Sequence, residues 1–129
     1  MDNTKQIIEF TQQLVKTPSQ NFIDSESGVA NLVFEKLKDF GFKPEIIGSK
    51  ERPSVICSIK KQNTSKTIWL ESCLDTVPAG DAAKWECPPF EAKIVGKKMY
   101  GRGTADSKVA IAMFCYLAKE LYEDEKFNA

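Results

Sequence analysis

Between Thr76 and Ala92 the chain carries Pro78, Gly80, Pro88 and Pro89, so neither a helix nor a central strand can run through, yet Trp85 and Phe90 in the same stretch favour burial. A packed loop is expected there. It divides the chain into an upstream body and a downstream hairpin and helix, and loops this long in compact domains are more often functional than decorative.

Upstream, Ile7, Ile8, Phe10, Thr11, Leu14 and Val15 recur at helical spacing, Asn3 or Thr4 can cap the start, and Pro18 forces Thr17 out of the helical region. The spacing predicts a helix from Thr4 to Lys16. A second helix starts after Asp24 or Ser25, aligns Val29, Val33, Leu37 and Phe40 on one stripe, and meets Gly41 as its C-terminal cap. Phe42 to Ile47, with Pro44 inside it, reads as an edge strand. Ser54 to Lys60, through Val55, Cys57 and Ile59, and Thr67 to Cys73, through Ile68, Trp69 and Leu70, read as the best strands. The turn between them spans Lys61 to Lys66, and the small cluster Lys60, Lys61 and Lys66 reads as solvated. Downstream, Lys93–Val95 and Lys98–Tyr100 flank Gly96-Lys97 as a tight hairpin, and a last helix from about Ser107 carries Val109, Ala112, Met113, Tyr116, Leu117 and Leu121. The order is α/β, and 129 residues suit one domain or one piece of a domain.

Lys plus Arg and Asp plus Glu both number 18, which leaves no overall field to attract nucleic acid or acidic lipid. No apolar run reaches bilayer length, and the polar start Met1 to Gln6 lacks a secretory signal, so a cytoplasmic address without membrane insertion is expected. Cys57, Cys73, Cys87 and Cys115 are unevenly spaced with no Cys-x-x-Cys pair, which predicts free thiols; a redox-active Cys73 rests on its loop position alone.

Cys73 and Asp75 lie two apart at the expected carboxyl end of a strand, so their side chains share a face where open α/β sheets place ligands. Asp106 stands at the mouth of the last helix, where a carboxylate either caps backbone amides or reaches a cation. Asp75 reads equally as an ordinary turn residue. The chain has no histidine.

Glu71-Ser72-Cys73-Leu74-Asp75-Thr76-Val77-Pro78-Ala79-Gly80-Asp81, then Lys84-Trp85, Pro88-Pro89-Phe90 and Tyr100-Gly101-Arg102-Gly103-Thr104-Ala105-Asp106-Ser107-Lys108, resemble the M20 metallopeptidase family. That family contains aminoacylase, acetylornithine deacetylase, succinyl-diaminopimelate desuccinylase and carboxypeptidase-like dipeptidases. Leu14 to Ser19 and Leu37 to Phe42 extend the likeness over almost the whole chain.

The resemblance implies the N-terminal part of a zinc-exopeptidase-like three-layer catalytic domain, helices packed on an incomplete mixed sheet, with residues 1–129 as one partial domain. It implies two zinc ions that polarise an amide carbonyl and activate water. By family pattern Asp75 is the catalytic carboxylate that orients a metal-bound histidine, and Asp106 bridges the metals. Cys73 occupies that histidine's place and is a candidate thiolate ligand. Val109 stands where the family usually has glycine, and Arg102 is expected to brace its loop through carbonyls or a carboxylate. The implied reaction is hydrolysis of N-acyl amino acids or small peptides, with the remaining ligands and base beyond Ala129, so the chain alone is expected to be incomplete or inactive. The alternative is a non-catalytic truncated relative that acts as an association module, through self-association or pairing at an open sheet edge.

Overall fold

The computed structural model describes residues 2–62 and 64–127, which leaves Asn63, inside the expected turn, outside the described part. Helix α1 spans Thr4–Val15 and buries Phe10, Thr11, Leu14 and Val15 along one stripe. Its start differs in detail from expectation. Asn3 makes no capping bond, its amide donating instead to Glu120 Oε1 at 2.6 Å, while Asp2 accepts from the Thr4 amide at 2.9 Å. Pro18 follows the helix end, where Lys16 holds the last helical conformation.

Helix α2, Ser27–Asp39, buries Val29, Ala30, Val33 and Leu37, and the chain turns away at Gly41, as expected. Helix α3, Lys108–Glu123, contributes Ile111, Ala112, Cys115 and Tyr116 to the same core. The Tyr116 ring meets Phe40 edge-on at 5.0 Å, and Phe42 meets Tyr122 in the same manner at 5.5 Å, tying the end of α2 to α3. The packed centre is therefore helical.

Strands β1 (Glu45–Gly48) and β2 (Pro53–Ile56) pair antiparallel with Glu45 opposite Ile56 and Gly48 opposite Pro53. Val55 and Cys57 pack against the helical core from this side. Strands β3 (Lys93–Val95) and β4 (Lys98–Tyr100) form the expected hairpin, Lys93 opposite Tyr100. The fold is α/β. Where one incomplete mixed sheet was expected, the described residues hold two separate antiparallel pairs.

The largest correction falls on the stretch expected to hold the best strands. Beyond Ile56 the first loses its ladder, and Thr67 to Cys73 forms no strand, with Ile68, Trp69 and Leu70 all exposed. A β-rich sequence becomes a strand only when a neighbour accepts its amides, and no described residue pairs its backbone with this stretch. Lys61, expected in solvent, donates to the carbonyls of Leu121 and Phe127 at 3.2 and 3.0 Å and to that of Asp124. It thereby ties the turn to the Leu121 carbonyl in the last turn of α3 and to the chain just beyond it.

Thr76 to Ala92 is the packed loop expected. A 3-10 turn at Ala82–Lys84 is capped by Asp81, the Trp85 indole donates to Ala79 O at 3.0 Å, and Cys87, Pro89 and Ala92 are buried. No helix of the described residues is long and apolar enough to cross a membrane.

Candidate functional site

The segments carrying the expected site meet at one junction, where the end of α1, the Leu74–Pro78 stretch and the Gly101–Lys108 turn come together. Lys108 is its anchor. As the first residue of α3 it sits at the positive end of a helix macrodipole, a poor place for a cation. Its fully buried side chain instead runs to the negative end of α1, where Nζ donates to Leu14 O at 2.8 Å and Thr17 O at 2.7 Å. Burial lowers its pKa to about 8, with the Asp24 carboxylate acting in the opposite direction.

The glycines of the turn are there because backbone passes close by. A Cβ on Gly101 would stand 2.7 Å from Val15 Cγ1 and 3.1 Å from Pro89 O, and one on Gly103 would stand 3.0 Å from the Lys108 stem and 3.1 Å from Thr76 Cγ2. Arg102 donates its amide to Pro89 O at 2.7 Å and lays its guanidinium over the Trp85 ring at 5.1 Å. The bracing expected of Arg102 thus runs through an aromatic face, and its buried Nε has no partner among the described residues.

On the other side, the chain after Pro18 clasps the aspartate-bearing stretch. Ser19 Oγ donates to Leu74 O at 2.7 Å, the Thr76 amide donates to Ser19 O at 2.9 Å, and the Asn21 amide donates to Thr76 O at 2.8 Å. The two backbone bonds form an isolated parallel bridge between Gln20 and Thr76. Gln20 accepts from the Ala79 amide at 2.8 Å and donates to Asp24 Oδ2 at 2.9 Å. Ser72 Oγ lies 3.2 Å from Ser107 O and 3.1 Å from Ser107 Oγ, joining the neighbour of Cys73 to the neighbour of Asp106.

Within this frame Asp75 is half-buried, whereas Cys73 and Asp106 are exposed. Asp106 does not cap α3: the N-cap position belongs to Ser107, which makes no capping bond with its side chain, and the Asp106–Ser107 peptide is cis. All four cysteines are free, and burial pushes the Cys115 thiol up to about 12. Among the described residues no group of three or more His, Cys, Asp or Glu side chains could hold a metal ion. With no imidazole in the chain, Cys73 and Asp106 do not amount to the donor set that two zinc ions need.

Sequence reasoning missed the parts that hold the junction together. Lys108 carried a readable signal, a cation opening a helix after the turn that holds Gly101 and Gly103, which calls for a counter-dipole elsewhere. Ser19, Gln20, Ser72 and Ser107 carried none, since a lone hydroxyl or amide does not announce its partner.

The model of Peptidase family M20/M25/M40 matches residues 69–128. An M20 family metallo-carboxypeptidase, Sso-CP2 from Sulfolobus solfataricus, superposes with a TM-score of 0.71 at 27% identity, over 94% of this chain. The chain spans 27% of that protein's length. Sequence and fold together support the M20 family, without distinguishing its subfamilies.

Proposed function

We propose that this chain forms one partial catalytic domain, the N-terminal portion of an M20-type metallohydrolase that cleaves amide bonds in N-acyl amino acids or small peptides. The observation that carries this reading is a likeness to an M20 metallo-carboxypeptidase over nearly the whole chain, with the family's match covering both motif segments. In such a domain Asp106 is the metal bridge, Asp75 the orienting carboxylate and Cys73 the ligand position altered from histidine, with zinc as the metal. The donors in this chain alone are too few for that centre, so no catalytic step is assigned to it.

The test is hydrolysis of N-acetyl and N-succinyl amino acids and of dipeptides by purified protein supplied with zinc or cobalt, alongside metal analysis of wild type and Asp106→Ala. Turnover together with zinc that is lost in Asp106→Ala supports a working site within the chain. Metal-free, inactive protein removes the catalytic role from this chain and leaves the second reading, an association module, which the exposed, unpaired Thr67–Cys73 stretch favours.

A further inference from the structure

We draw no further inference here: the strongest candidate, the side-chain cluster where the Thr76–Ala92 loop meets the Gly101–Lys108 turn, leaves Arg102 Nε and Thr76 Oγ1 buried without partners among the described residues, but both atoms are closed to solvent by the protein itself and nothing in the structure shows what would reach them.

Discussion

Replacing Lys108 with methionine keeps the length of a fully buried stem and removes the ammonium that bonds Leu14 O and Thr17 O. Two hydrogen bonds from a charged donor contribute roughly 3–6 kcal/mol together. Against this stands the cost of burying the charge: a pKa lowered from 10.5 to about 8 corresponds to about 3 kcal/mol disfavouring the charged form. The difference is a loss of roughly 0–3 kcal/mol at pH 7, and its middle value in urea moves the unfolding midpoint down by about 1 M at unchanged slope. The pH dependence gives an independent check. Between about pH 8 and 10.5 the unfolded chain holds a proton on this lysine that the folded chain has released, so wild-type stability gains from this group as pH rises. The gap between wild type and Lys108→Met therefore widens across that window. A variant more stable than wild type at pH 7 would show that the ammonium is a burden rather than an anchor, and a gap that narrows would refute the burial origin of the shift.

Three further outcomes follow from the packing and burial. Gly101→Ala drives a Cβ against Val15 and the Pro89 carbonyl, and because the latter is backbone the loss should reach roughly 2 kcal/mol or more by chemical denaturation; an unaffected variant contradicts the close approach. For the thiols, the folded-state pKa of Cys115 is raised from 9.0 to about 12, so its contribution is complete below pH 9 and is lost as pH rises toward 12, by up to about 1.4 kcal/mol per pH unit. Tyr116, raised mainly by burial, acts in the same direction, so Cys115→Ala should flatten the alkaline decline only in part; an identical decline in that variant sinks the assignment. In native protein a thiol reagent should modify the exposed Cys73 before the buried Cys87 and Cys115, as read by peptide mass spectrometry.

The helices were legible because each writes its burial into a repeating stripe, and the first two end near a proline or glycine that the backbone must obey, at Pro18 and Gly41. The Gly96-Lys97 hairpin was legible for the same local reason. Thr67 to Cys73 was not, because strand residues declare a preference for a neighbour without supplying one. The two motif segments could be read, and the structure brings their surroundings together through Ser72 and Ser107. What could not be read is that hydroxyls, rather than carboxylates, do the joining there, or which carbonyls the Lys108 ammonium would find. Those contacts span tens of residues and depend on shapes that no spacing encodes.

The lysine that anchors the junction also orders events in time. Its two acceptors lie 94 and 91 residues earlier in the chain, and the stripe of α1 that it closes faces α3. During synthesis the first helix therefore emerges long before the element that covers it, and its apolar stripe must wait while the hairpins and the long loop are made. Closing so long a loop costs entropy that only the final helix can offset. A ribosome paused anywhere before α3 would expose a sticky, half-shielded first helix, a natural substrate for a chaperone, whereas a pause after Glu123 has cleared the exit tunnel would release a chain able to shut behind itself.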